Sequence, residues 1–173
     1  IVGRMKHHSL IDGKRVAVWG ESLAEVNPPD RRVEVPLGID EEPAHSEPLG
    51  SLLALLTAAL DPDIDVVLAR GGLVSFRSVL DSQFVWMPHD YVVPGAISTG
   101  DIPSLAAAIA PRPLRMESPV TGVNRLADTQ LVNKEWQFAA DIYAQAKAKE
   151  QLLLKSDRKT SLRWLAETLT SAK

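Results

Sequence analysis

Arg15-Val-Ala-Val-Trp-Gly20-Glu21-Ser22-Leu23-Ala24 is an apolar run, entered from a turn-like Asp12-Gly13, that stops at a glycine. Its length and its bounds read as a buried strand over residues 15–19. Similar runs recur downstream. Residues 65–69 (D-V-V-L-A) end at Arg70-Gly71-Gly72, residues 111–117 (P-R-P-L-R-M-E) enter a third strand, and residues 151–155 (Q-L-L-L-K) make a fourth. Helical stretches separate them. Residues 49–60 are stopped by Asp61-Pro62, and residues 102–110 have Asp101 as N-cap and Pro103 in the first turn. Residues 133–149 place Trp136, Ala140, Tyr143 and Ala144 along one side, and residues 160–171 turn Leu162, Leu165 and Leu169 inward. Apolar strands alternating with helices imply an α/β protein, layered helix–sheet–helix, with a mostly parallel sheet of about four strands. No repeat or low-complexity tract divides the chain, so residues 1–173 read as one domain.

Two stretches stand outside this alternation. Asn27-Pro28-Pro29 breaks any helix that starts after the first strand. Residues 31–37 then alternate Val33, Val35 and Leu37 with polar residues, as an edge strand or hairpin arm does, and residues 39–48 read as an exposed acidic loop. Residues 82–100 hold three aromatics, Pro88, Pro94 and two glycines, and read as a long irregular excursion of the kind that carries function.

Composition bounds the rest. With 173 residues, 45% hydrophobic and 24% charged, the chain can bury a real core and is not wholly disordered. Its longest apolar runs, near residues 51–60 and 105–110, fall well short of the ~20 residues of a membrane span, so no membrane partner is expected. Lys and Arg total 19 against 22 Asp and Glu, a net charge of −3, which gives no basic face for nucleic acid. The absence of cysteine excludes disulfides, thiolate metal sites and a cysteine nucleophile, and leaves the compartment open. The start, I-V-G-R-M-K-H-H, has no apolar core of a signal peptide and no initiator Met.

The candidate chemistry lies at the end of the first strand. Gly20-Glu-Ser22-Leu-Ala24 is a G-x-S-x-(small) pattern, in which small residues allow the tight turn that exposes a serine Oγ. Ser22 is then the nucleophile, and the Leu23 N–H faces a developing oxyanion. The chain further resembles the C-terminal part of α/β-hydrolases of the acetyl-xylan-esterase and prolyl-oligopeptidase-like kind. The resemblance rests on D-G-K-R-V-A-V-W-G-E-S at residues 12–22, R-G-G-L-V-S-F-R-S-V at 70–79, V-P-G-A at 93–96 and D-I-P-S-L-A-A-A-I-A-P-R-P-L at 101–114. It covers roughly residues 13–169 and implies a partial hydrolase fold lacking the family's first four strands. It also implies a serine-dependent carboxylic-ester hydrolase, with a small-molecule or carbohydrate ester as substrate and no cofactor. The family's acid falls near residues 118–124, where Thr121 stands in the place of an Asp and Glu117 and Asp128 are the nearest carboxylates. Its histidine follows the last strand, yet K-S-D-R-K-T-S at 155–161 holds none. The alternative is therefore a catalytically degenerate hydrolase-like domain that binds a partner or completes a larger chain.

Four histidines are available as bases. His7 and His8 lie near the start and His45 in the acidic loop, all three read as solvated. His89, in W-M-P-H-D-Y within the aromatic excursion, is the candidate relocated base beside a structural, hydrogen-bonded reading. No H-x-x-x-H or H-E-x-x-H suggests a metal, and no G-x-G-x-x-G or P-loop suggests a nucleotide. Glu21, Glu25 and Glu34 offer carboxylate pairs of the kind any acidic chain has. Trp19, Trp86, Trp136 and Trp164 read as core or core-edge residues, with Trp86 placed to stack on a sugar. A sheet without the family's first four strands also exposes an edge, so a homo-oligomer burying the strand at 15–19 or its neighbours is expected.

Overall fold

A computed structural model describes His8, residues 13–156 and residues 158–171. Four strands, β1 (Ala17–Glu21), β2 (Val66–Arg70), β3 (Leu114–Glu117) and β4 (Leu152–Lys155), lie side by side in that order, every neighbouring pair parallel. The helices of seven residues or more are α1 (Leu49–Leu60), α2 (Ile102–Ile109), α3 (Thr129–Glu135), α4 (Gln137–Gln145) and α5 (Ser161–Ser171), and a single helical turn at Ala96–Thr99 interrupts the irregular stretch before α2. The α/β reading and the parallel sheet of four strands therefore hold. The first two strands sit one or two residues later than the apolar runs suggested, so each includes the charged residue that ends its run.

The two faces of the sheet differ in chemistry because side chains alternate along each strand. Val67 and Ala69 of β2 and Leu114 and Met116 of β3 point to the face where α1, α2 and α4 supply Leu52, Leu55, Ile109 and Tyr143, all in one buried cluster. Each such Val, Leu, Ile or Met side chain contributes roughly 1.5–3 kcal/mol on burial, which makes this face the main core. Trp19, Leu68, Arg70, Arg115 and Glu117 point the other way, where α5 lies. Ser161 at the start of α5 donates to Glu117, and Trp164 receives the guanidinium of Arg115 on its ring at 5.6 Å. The result is helix–sheet–helix layering.

Two charged side chains lock the helices to the sheet. Arg112 donates to the carbonyls of Ala58 (2.6 Å), Asp61 (3.0 Å), Ile64 (2.7 Å) and Ile109 (3.3 Å), closing the C-terminal ends of α1 and α2 with one guanidinium. Asp101 caps α2 through Ile102 N–H (2.6 Å), as the sequence implied, and also accepts from Phe76 and Arg77 N–H at 2.7 and 3.0 Å.

Several expectations need correction. The helix read over residues 133–149 is two helices, α3 and α4, that meet at Trp136. The Trp136 indole is completely buried and donates to Val74 C=O at 2.9 Å, and this anchor sets the break. The inward face is Val132, Trp136, Ala139 and Tyr143, while Ala144 is exposed. In α5, Leu162 is 69% exposed, and Trp164 stands beside Leu165 and Leu169 on the inner side.

Residues 31–37 form no strand. Val33 and Val35 instead fold onto Trp86 as a second small core, and the Trp86 indole donates to Val33 C=O at 2.7 Å. Trp86 is thus buried and unable to stack on a sugar. The loop at 39–48 is anchored too. Asn27 exchanges bonds with Ala44 N–H and C=O at 2.8 and 3.0 Å, and the Asn124 amide spans Glu25 and Ala44 carbonyls at 2.8 and 2.9 Å. Among the described residues, no single helix is long and apolar enough to cross a membrane.

Candidate functional site

In open parallel sheets, ligands meet the protein at the carboxyl ends of the strands. Here each strand ends on a charge, and the register aligns them: Glu21 with Arg70, Arg70 with Glu117, and Glu117 with Lys155. Three of these four interlock. Arg70 bridges Glu21 through Nη1 and Glu117 through Nε, each at 2.8 Å. Arg115 adds a second cation to Glu117 at 2.5 Å, and Ser161 Oγ donates to the same carboxylate at 2.7 and 2.9 Å. Glu117 is 0% exposed, so its charge is held entirely by protein donors. Arg70 also lies over the Trp19 ring at 4.8 Å. The sequence carries this ladder openly as V-A-V-W-G-E, V-V-L-A-R, L-R-M-E and L-L-L-K, apolar runs closing on alternating sign. Reading the runs only as strands passes over it.

Ser22 follows β1 directly. Its N–H donates to Arg70 C=O at 3.0 Å, its Oγ accepts from Ala24 N–H at 3.3 Å, and the residue is 4% exposed. Gly71, in the left-handed region at φ +65°, packs against it so closely that a Cβ there would stand 2.9 Å from that of Ser22. No helix begins at Ser22; residues 22–48 intervene. Nonetheless α1 returns to the end of β1, where a Cβ at Gly20 would lie 1.9 Å from Gly50 C=O. Strand and helix are joined as in a tight turn, with a long excursion spliced between them.

The other candidates are dispersed. Leu23 projects its side chain into solvent, 80% exposed. His89 is exposed at the start of a 3₁₀ turn, His89–Tyr91, and no hydrogen bond or ion pair among the described residues joins it to Ser22. Glu117 is committed to the ladder, and Asp128 caps α3 by accepting from Leu131 N–H at 2.8 Å. Thr121 sits in a turn, its N–H bonded to Arg125 C=O. His45 is exposed and edge-on to Trp86 at 5.2 Å, while His7 lies outside the described residues. Among the described residues, no group of three His, Asp or Glu side chains is arranged to hold a metal.

A cleft of about 430 Å³ opens beside this end of the sheet, lined by Glu21, Glu47, Gly50, Pro88, Asp90 and Tyr91 among others. Glu21 links it to the ladder. Burial, with a further push from Asp101, raises the Tyr91 phenol well above its ordinary pKa, so the ring is neutral at any physiological pH. Carboxylate acceptors beside the exposed apolar side chains of Leu49, Leu53 and Pro88 suit a neutral ligand with hydroxyl donors better than an anion.

No family model matches the chain. No curated protein matches it either. Among solved structures it is similar to a carbohydrate esterase family 15 glucuronoyl esterase from Caldicellulosiruptor kristjansonii, at 16% identity and a TM-score of 0.45 over 69% of this chain. The chain spans 40% of the length of that protein.

Proposed function

We propose that the chain is a hydrolase-type α/β domain that binds a carbohydrate-like ligand in the cleft at the end of β1 without running a serine triad. The observation that carries this reading is the closed ladder. The carboxylate nearest the expected acid position, Glu117, is fully buried between Arg70, Arg115 and Ser161 and so has no capacity to orient a base. Ser22, at 4% exposure, supports the same reading, because a nucleophile must reach its substrate. Glu47 and Asp90 then act as hydroxyl acceptors, and Pro88, Leu49 and Leu53 give the apolar wall.

The test is calorimetry with an acetylated and a deacetylated xylo-oligosaccharide, with acid release followed in the same samples and a fluorophosphonate probe applied separately. Binding without acid release, weakened by Glu47→Gln, and no labelled serine are expected. Labelling of Ser22 with turnover, or binding of neither oligosaccharide, overturns the reading.

The second reading keeps the chain as a carboxylic-ester hydrolase with Ser22 as nucleophile, His89 as base and Leu23 N–H toward the oxyanion. The return of α1 to the end of β1 favours it, because that helix start brings free N–H groups to the strand end as an elbow does. On this reading Ser22→Ala abolishes ester hydrolysis with the fold intact. His89→Ala lowers kcat by at least ~10²-fold. The rate of the parent rises with pH through one apparent pKa near ~6–7. Full activity in either variant refutes the assignment of that residue.

A further inference from the structure

The excursion over residues 82–100 is only partly used by the cleft described above, which takes Pro88, Asp90 and Tyr91 from it. Its second half builds a separate cavity of about 380 Å³ that shares no lining residue with that cleft. One wall is the 3₁₀ turn Arg77–Asp81 and the residue before it, which contribute Phe76, Val79 and Leu80. The other is residues 92–98, which contribute Val92, Val93 and Ile97. Gly95, at φ +78°, lets the chain double back into the turn Ala96–Thr99 and so shapes that wall. Leu80, Val92, Val93 and Ile97 are 72%, 48%, 50% and 49% exposed. Apolar side chains exposed singly are ordinary, but four gathered around one hollow mark a binding surface.

Both walls are held in place. Asp101 accepts from Phe76, Arg77 and Ile102 N–H, which ties the first wall to the start of α2. Ser78 N–H donates to Ser75 Oγ at 3.1 Å, and the Phe76 ring rests on Tyr91, their centroids 5.5 Å apart. The second wall closes its own backbone bonds, from Ala96 N–H to Val93 C=O and from Thr99 N–H to Gly95 C=O, each at 3.1 Å. Among the described residues, none that lines the cavity is charged. Its one side-chain hydroxyl, Ser98 Oγ, already donates to Gly95 C=O at 2.9 Å. The cavity offers apolar surface and no ionic partner.

We propose that this cavity binds the uncharged aryl group of a small molecule. The chemistry of the lining selects that occupant. A carboxylate or an ammonium group would lose its water there and gain no counter-ion. A sugar or an extended peptide would bring hydroxyl or amide groups that lose water and find no side-chain donor to replace it. A flat ring brings none of these groups. It buries its faces against the aliphatic walls and meets the Phe76 ring as aromatic pairs do. A volume of about 380 Å³ lies near the lower end of the ~300–1,000 Å³ of ligand pockets, which suits a compact ring system rather than a long acyl chain. This site is independent of the carbohydrate-like ligand proposed for the other cleft and stands if that ligand does not bind.

Amide-shift titration of the whole, isotope-labelled chain with acetophenone, and in parallel with benzoate, tests this, because the two differ little in shape and by one charge. Saturable shifts centred on residues 76–80 and 92–98 are expected with acetophenone. Benzoate should bind at least ~10-fold more weakly. Leu80→Glu, and separately Ile97→Asp, place a carboxylate at the exposed rim. Each should raise the acetophenone dissociation constant by ~10-fold or more while leaving the circular dichroism unchanged. Shifts centred on Glu47, Leu49 and Leu53 instead, no saturation within the solubility of acetophenone, or equal affinity for benzoate overturns the proposal. Full affinity in both variants overturns it too. Sedimentation of the chain with phosphatidylcholine vesicles, lost in both variants, would also overturn it and assign the apolar rim to a membrane surface.

Discussion

Replacing Glu117 by Gln removes one negative charge from a site where two guanidinium groups and a hydroxyl converge. The size of the loss depends on which cation is stranded. Arg70 is 12% exposed and keeps Glu21 at 2.8 Å, so its charge remains paired. Arg115 is 5% exposed and, among the described residues, retains the Lys159 carbonyl at 2.7 Å and the face of Trp164. Breaking a buried pair costs about 3–5 kcal/mol when the remaining charge is uncompensated. With one of two cations rescued, Glu117→Gln should cost about 3–4 kcal/mol, a large share of the ~5–15 kcal/mol of a typical domain. For a chain of this size that lowers Tm by roughly 6–16 °C. Urea denaturation with an unchanged slope is the assay, repeated on Glu117→Met, on Arg115→Met and on the double variant that combines these two, which together close a cycle. The double variant should recover much of the loss, since an apolar pair replaces the whole ion pair. A single-variant cost below ~1 kcal/mol, or no coupling in the cycle, would refute the view that Glu117 is the keystone.

Gly20→Ala should destabilise by about 3 kcal/mol, because its Cβ would overlap Gly50 C=O and force α1 off β1; thermal denaturation measures it. Arg112→Met should cost about 3 kcal/mol by stripping the carbonyls of Ala58, Asp61, Ile64 and Ile109 of one shared donor, and hydrogen exchange should show the ends of α1 and α2 opening first. Tyr91 and Tyr143, the two tyrosines of the chain, both have phenol pKa values raised chiefly by burial. Unfolded tyrosine ionises near ~10 while the folded pair stays protonated, so stability is full below that pH and declines above it. Near-ultraviolet phenolate absorbance should appear only together with unfolding; non-cooperative titration in the folded state would contradict the burial of both rings.

How much of this was legible in the sequence follows from what each signal encodes. The four strands announced themselves because a buried parallel strand must be apolar along its length, and the Asp101 cap because its partner is the next residue. The break at Trp136 was hidden, since it depends on Val74, far away in the chain. Val33 and Val35 showed a strand's alternation but fold onto Trp86, so periodicity reported burial correctly and pairing wrongly. At the site, Ser22 was placed at a strand end by its spacing from Gly20, whereas its burial arises from Gly71 and the strand ladder. The charge closing each apolar run was in view throughout. Its meaning needed the register, which no single stretch contains.

Residues 22–48 leave the sheet and come back to almost the point of departure, and both ends are held independently: Asn27 by the loop around Asn124, Ser46 by Trp86, and Gly50 by Gly20. A protease cutting at the exposed tip around residues 38–41 would therefore yield two fragments that stay together and migrate as one particle until denatured. The same geometry makes that tip a point where the polypeptide can be opened, or a reporter domain inserted, while strand and helix keep their contact.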